Sequence, residues 1–220
     1  MKPLHRNRVM MDFIAAVDHL ILEEGIRNVT LRKVASKAGY NTATLYNYFE
    51  SLDHLIFFSA MRMIKDYALA IHDYTKDADN AMDRFLKVWE CFCDYSFDKP
   101  EVYNAIFFSG VTNDVEDYVE EYYKLFPEDL QTADAKTSTM LIKSNITERG
   151  MTTVRDCILE GYISEDDGNR LNEMTLLVYE GVLKRVLSGK LSYEDARNKT
   201  MDYIKSIVKG LLIKKYEFYY

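Results

Sequence analysis

The sequence is poor in the residues that interrupt helices, cross-link chains or cross membranes. Three prolines occur in 220 residues, at positions 3, 100 and 127, and β-branched alternating runs are absent. That removes the usual signals of a sandwich or barrel and leaves room for long helices. Three cysteines, Cys91, Cys93 and Cys157, make no even-numbered disulfide framework. Cys91 and Cys93 face different directions on a helix and lack a second pair for zinc, so all three read as small buried hydrophobes in a reducing cytosol. No stretch approaches 18 consecutive apolar residues, and the N-terminal MKPLHR lacks the apolar run of a secretory signal. A cytoplasmic protein with no membrane partner is expected.

Catalytic signatures are missing too. The four histidines (His5, His19, His54, His72) are scattered through the N-terminal third, and neither a Gly-rich phosphate loop nor an H-E-x-x-H pair occurs. No catalytic residue, metal or cofactor is assigned, and the chain does not read as an enzyme. The net charge of −7 argues against a protein that coats nucleic acid without specificity. The charge is uneven, however. Residues 1–50 carry seven Lys and Arg against five acids, a net of +2 that leaves −9 for the rest. A mildly basic head on an acidic body can still hold DNA at one face.

What is present is period-3.6 patterning throughout, and the fold class is all-α. Val9, Met10, Phe13, Ile14, Val17, Leu20 and Ile21 form one stripe with Asp12, Asp18, His19 and Glu23 opposite, a helix ended by Gly25. A second helix runs from an N-cap at Thr30 to Gly39, and a short third is capped by Asn41 or Thr42. A fourth is expected from about Ser51 to Tyr74. Further helices are expected over about 78–98, 100–111, 114–126 and 133–161, with Gly150 a point of interruption in the last. The run 165–168 reads as a turn before helices at about 169–188 and 192–217, the latter opened by a Ser192–Asp195 capping box.

Two short helices joined by a glycine turn behind a longer supporting helix form a helix-turn-helix, the geometry of many DNA readers. Ala35 and Ala38 allow the close crossing, Gly39 suits positive φ, and Asn41, Thr42 and Thr44 leave the third helix's start polar and uncluttered. Helix pairs with glycine turns also occur in proteins that never touch DNA. The particular residues narrow the choice. The run LRKVASKAGYNTATLYNYFESLDHL, residues 31–55, resembles the DNA-binding signature of the TetR family of transcriptional repressors, and ILEEGIRNVT, residues 21–30, resembles its preceding helix end. Thr30, Val34, Ala35, Ala38, Gly39, Leu45, Tyr46, Tyr48, Phe49, Ser51 and Leu55 match the pattern, which covers about residues 9–56. Two positions depart from it: Leu52 stands where the family usually has Lys, with His54 and Lys37 as candidate substitutes, and Tyr40 replaces a usual Val.

The resemblance implies a three-helix DNA-binding head, residues 1–50, and a ligand-binding and dimerisation body, residues 51–220. It implies that Thr30, Arg32, Asn41, Thr42, Ala43, Tyr46 and Tyr48 meet operator DNA. Arg32 would reach a guanine edge or phosphate, Thr42 and Ala43 would meet bases, and Tyr46 and Tyr48 would hold phosphates. Packing in the head is the alternative for Tyr46 and, above all, Tyr48. It further implies release from DNA by a small apolar or aromatic effector. Met63, Tyr67, Trp89, Phe92, Tyr95, Tyr103 and Phe107 are the candidate pocket residues, with plain core packing as the alternative for each. The last two helices, striped by Leu176, Leu177, Tyr179, Val182, Leu183, Val186 and Leu187 and by Met201, Ile204, Ile207, Val208, Leu211 and Leu212, would form a homodimer bundle; closure of the chain's own core is the alternative. Two other functions stay open: a DNA binder controlled by a protein partner, and a helical enzyme or carrier with an incidental helix-turn-helix.

Overall fold

The structure, a computed structural model, describes residues 3–108, 115–130, 135–143 and 145–218. Its order is α1 Pro3–Glu24, α2 Leu31–Ala38, α3 Thr42–Leu45, α4 Leu52–Met63, α5 Lys65–Thr75, α6 Ala81–Asp98, α7 Pro100–Phe107, α8 Val115–Leu125, α9 Ala135–Leu141, α10 Ile146–Leu159, α11 Glu165–Leu187 and α12 Tyr193–Leu211. Short 3₁₀ turns cover Ile26–Asn28 and Pro127–Leu130, and no strand occurs among the described residues. None of these helices is long and apolar enough to cross a membrane. The all-α reading holds.

Two compact units emerge, residues 1–65 with 101–127 and residues 66–100 with 128–220. In the first, α1 packs on α2 and α4, and α8 packs on α4. The α1 stripe delivers Phe13, Ile14 and Val17 into a core closed by Val34, Leu45, Phe49, Leu55 and Phe58, all essentially without solvent contact. Each such side chain contributes about 1.5–3 kcal/mol by leaving water. Edge-on contacts of Phe49 with Phe13 and Phe58 tie α1 and α4 together through the segment after α3.

In the second unit α10, α11 and α12 pack in succession and α6 lies against α10 and α12. Tyr179 of α11 is fully buried, its ring 4.8 Å from Phe92 and 5.4 Å from Phe97. Asp94 of α6 accepts from Tyr74, Tyr193 and Arg197, joining α5 and α12 to α6.

Four element boundaries differ from the sequence-based expectation. The fourth helix breaks at Ile64, whose φ of −96° and ψ of 6° leave the helical well, although neither proline nor glycine lies between 52 and 75. The segment expected as one helix over 133–161 is two helices. Asn145 caps the second by accepting the Glu148 N–H, and Arg149 turns back to donate to the Leu141 and Lys143 carbonyls at the end of the first. Gly150 does not interrupt α10: it is the close approach to α11, where an added Cβ would lie 2.1 Å from the Asn172 amide oxygen. The acidic run 165–167, expected as a turn, is the first turn of α11, capped by Ser164 and favoured by the positive end of the helix dipole. Finally α12 stops at Leu211, and the chain beyond it folds back, with Ile213 N–H donating to the Tyr162 carbonyl and Tyr216 meeting the Tyr162 ring edge-on. Residues 109–111, 114, 133–134, 144 and 219–220 of the expected elements and tail lie outside the described residues.

Candidate nucleic-acid interface

The site is built from the ends of α2 and α3. Thr30 is extended and its hydroxyl accepts the Lys33 N–H at 3.4 Å, which starts α2. Gly39 ends it at φ 77° and ψ 23°, where its N–H and that of Tyr40 return to the Ala35 carbonyl region; only that left-handed residue lets the chain reverse into α3. Asn41 then caps α3, its amide oxygen accepting the Thr44 N–H at 2.8 Å and the Thr44 hydroxyl at 2.9 Å. The α3 helix is one turn long. Leu45 and Phe49 anchor it in the core, so its remaining side chains face out.

The charges around α2 are sorted by their partners. Lys33 and Lys37 bind Glu24 and Glu23 at the end of α1, at 2.5 and 2.6 Å. Arg32 is exposed, and no acid among the described residues pairs with it. A planar guanidinium left open beside the polar start of α3 suits a phosphate or a guanine edge. Thr30, Asn41, Thr42 and Ala43 are exposed, and Tyr46, the residue that caps the end of α3, is 57% exposed. Tyr48 is different. It is buried, with its ring 6.4 Å from Phe13. Tyr40, the large residue in place of Val, covers Phe13 at 5.1 Å and donates its hydroxyl to Asp12 at 2.8 Å.

Neither candidate substitute for the missing Lys at position 52 is available. Lys37 is paired with Glu23, and His54 is 2% exposed. His54 instead anchors a polar cluster that the sequence did not reveal. Its Nδ1 accepts the Glu50 N–H at 3.3 Å, and its ring stacks on Tyr118 of α8 at 3.8 Å and 7°. Tyr118 donates its hydroxyl to the Glu50 carboxylate at 2.6 Å. Because Nδ1 is an acceptor here, the imidazole proton sits on Nε2, 3.6 Å from Glu121. Burial pushes the His54 pKa down to about 4 despite the nearby Glu50 charge, and burial pushes the Glu121 carboxyl up. Glu50 and Tyr118 are 68 positions apart, so no local pattern could have paired them.

The seven candidate effector residues separate. Tyr67, Trp89, Phe92 and Tyr95 assemble in the second unit, with Tyr67 5.5 Å from Phe92 and 6.3 Å from Tyr95, and Trp89 5.8 Å from Phe92. Met63, Tyr103 and Phe107 belong to the first unit. Tyr179, expected in the dimer stripe, joins the aromatic group together with Phe97 and Ser96, and none of the three was among the candidate pocket residues. In the last two helices Tyr179, Val182, Leu183, Met201, Ile204 and Val208 close the unit's own core, while Met174, Leu177 and Tyr203 are exposed.

Residues 13–57 match the model of the bacterial regulatory proteins, tetR family. Comparison with curated proteins by sequence returned no match. Solved structures share the fold at low identity. Thermus thermophilus FadR, a TetR-family transcriptional repressor solved with lauroyl-CoA, superposes with a TM-score of 0.63 at 10% identity, covering 94% of this chain and 97% of its own. RolR, solved with resorcinol, has a TM-score of 0.63 at 14% identity over 97% and 92%. A TetR transcription regulator from Haloarcula marismortui has a TM-score of 0.58 at 14% identity over 93% and 98%.

Proposed function

We propose that this chain, whose residues 13–57 match the tetR family model and whose fold is shared with TetR-family regulators, is a cytoplasmic, homodimeric transcriptional repressor released from its operator by a small-molecule effector. The observation that carries the DNA-binding half is the open edge of the head, where Arg32, Thr42, Ala43 and Tyr46 are exposed together while the neighbouring lysines are neutralised. Thr30 and Asn41 spend their oxygens on capping, which leaves the Thr30 hydroxyl proton and the Asn41 NH₂ group as donors for phosphate. Tyr46 offers a third donor. Tyr48 supports the head by packing and orients its neighbours.

A single head covers one half-site, so specific binding needs two heads spaced by about 34–36 Å on the duplex. The exposed residues Met174, Leu177 and Tyr203 on α11 and α12 are the surface for the second copy, continuous with helices whose other faces are already buried. Effector gating is supported by two structural relatives that were solved with small molecules, lauroyl-CoA and resorcinol. In this chain the aromatic group of Tyr67, Trp89, Phe92 and Tyr95 begins three residues after the helix break at Ile64, where the chain passes from one unit to the other. A ligand that prefers one arrangement of that junction by about 1–3 kcal/mol shifts operator affinity 5–150-fold.

The test selects duplexes from a random pool and measures their binding in solution. Two-fold symmetric sites bound by a dimer are expected, and Leu177→Glu should give a monomer that loses most of the affinity. A wild-type protein that stays monomeric, or that selects no sequence, would overturn the reading.

A further inference from the structure

The chain keeps its helical turns beyond the end of α3. The N–H groups of Asn47, Tyr48 and Phe49 return to the Thr44 and Leu45 carbonyls at 2.9 to 3.1 Å. Burial follows the same period: Leu45, Tyr48 and Phe49 are buried, while Ala43, Tyr46 and Asn47 are exposed. The outward neighbour of Tyr46 is therefore Asn47, because Tyr48 turns in toward Phe13. Asn47 stands one turn beyond Ala43 on the open side. Side chains so spaced lie about 5–6 Å apart at Cβ, within two base-pair steps of about 3.4 Å.

Its amide is also unspent. Of the three asparagines between residues 21 and 50, Asn28 donates to the Glu24 carbonyl at 2.6 Å, and Asn41 gives its oxygen to the Thr44 N–H and hydroxyl. Among the described residues the Asn47 side chain has no partner, so its carbonyl and its NH₂ group are both open. Charge is scarce on this edge. Between residues 30 and 47 the charged side chains are Arg32, Lys33 and Lys37, and both lysines are paired with acids of α1. Apart from Arg32, the edge meets its partner through neutral groups. A phosphate only accepts, and would leave the Asn47 carbonyl stranded. Guanine shows two acceptors in the major groove, cytosine a donor and thymine an acceptor with a methyl. Adenine shows an acceptor at N7 beside a donor at N6, the complement of a primary amide.

We propose that Asn47 is a specificity-determining residue of this chain and reads one adenine in each operator half-site, its carbonyl accepting from N6 and its NH₂ donating to N7. The proposal rests on the DNA-binding reading above and adds to it the identity of a base. Ala43, one turn back, carries only a methyl and leaves the amide room to reach a base edge. Tyr46 beside it offers a hydroxyl to the backbone, which fixes register without reading sequence.

The experiment uses the full chain and the duplex that it selects from a random pool. Each adenine fixed by the selection is replaced in turn, in one half-site, by another base, by 7-deazaadenine, which lacks the N7 acceptor, and by purine, which lacks the N6 amino group. At one position a changed base should weaken wild-type binding about 5–150-fold, and both modified bases should weaken it as well. These arms need no variant. Asn47→Ala should keep the wild-type melting temperature and bind the selected, changed and modified duplexes nearly equally at that position. No fixed adenine, full wild-type affinity for both modified duplexes, or an adenine preference that survives in Asn47→Ala would each overturn the readout. An equal loss on every sequence in Asn47→Ala would place the residue on a phosphate and overturn it too. A chain that selects a sequence but ignores these changes keeps the DNA-binding reading and loses this residue; a chain that selects no sequence loses both.

Discussion

Particular arginines of the two units are used in opposite ways. In the first, Arg62 is paired with Asp18, but Arg32 is left exposed on α2 with no acid opposite it. In the second, three arginines work internally: Arg149 is 5% exposed and caps two helix carbonyls, Arg84 spans two threonines, and Arg197 binds Asp94. The same side chain is left open in one region and is a structural tie in the other. What separates them is whether the planar donor fork finds its acceptors inside the chain.

That contrast is broken most directly at Arg149. Arg149→Met keeps the volume but strands the Leu141 and Lys143 carbonyls, and should destabilise the protein by about 3 kcal/mol in denaturant titration. A loss below about 1 kcal/mol would mean that water or another donor takes over those carbonyls. Arg32→Ala should do the reverse. Its unfolding midpoint should match the wild type, while operator affinity falls by about 2 kcal/mol. Equal affinity in a folded dimer would remove Arg32 from the DNA face.

Acid should find the first unit's weak point. His54 is held neutral in the folded chain, with its pKa pushed down to about 4 from an ordinary 6.5. The unfolded chain therefore binds the proton first as pH falls below the ordinary value, so stability drops between the two values and the loss is complete once pH passes the folded one. Between pH 7 and pH 5 His54 should cost about 1.5 kcal/mol. His54→Phe, which keeps the stack on Tyr118, should flatten that part of the pH–stability curve; an unchanged slope would show that other groups carry it. The smallest effect is expected at the cap of α3. Asn41→Ala should lower stability by about 1 kcal/mol, and operator affinity should fall further because the start of α3 frays.

Legibility followed the range of the interactions. The head was readable because its signals are local. Thr30 caps three residues ahead, Gly39 takes a positive φ, and Asn41 caps Thr44, so each position is specified by neighbours within one turn. The Ser164 and Asn145 caps were local as well, with Asp167 and Glu148 three residues on, and they went unread because an acidic run and a long apolar period outweighed them. The break at Ile64 had no such mark.

From sequence alone came the all-α class, the helix-turn-helix with its family resemblance, and the identity of the residues on its polar edge, because periodicity, caps and one glycine are written in adjacent positions. Tertiary structure decided which of those residues are open. It buried Tyr48 and His54, neutralised Lys33 and Lys37, and left Arg32, Thr42 and Tyr46 exposed. It also divided the aromatic residues between two units, paired Glu50 with Tyr118, and joined Arg84 to Thr137, 53 residues away. Burial and pairing are sums over everything that surrounds a side chain in space, and chain order carries that information only for its nearest neighbours.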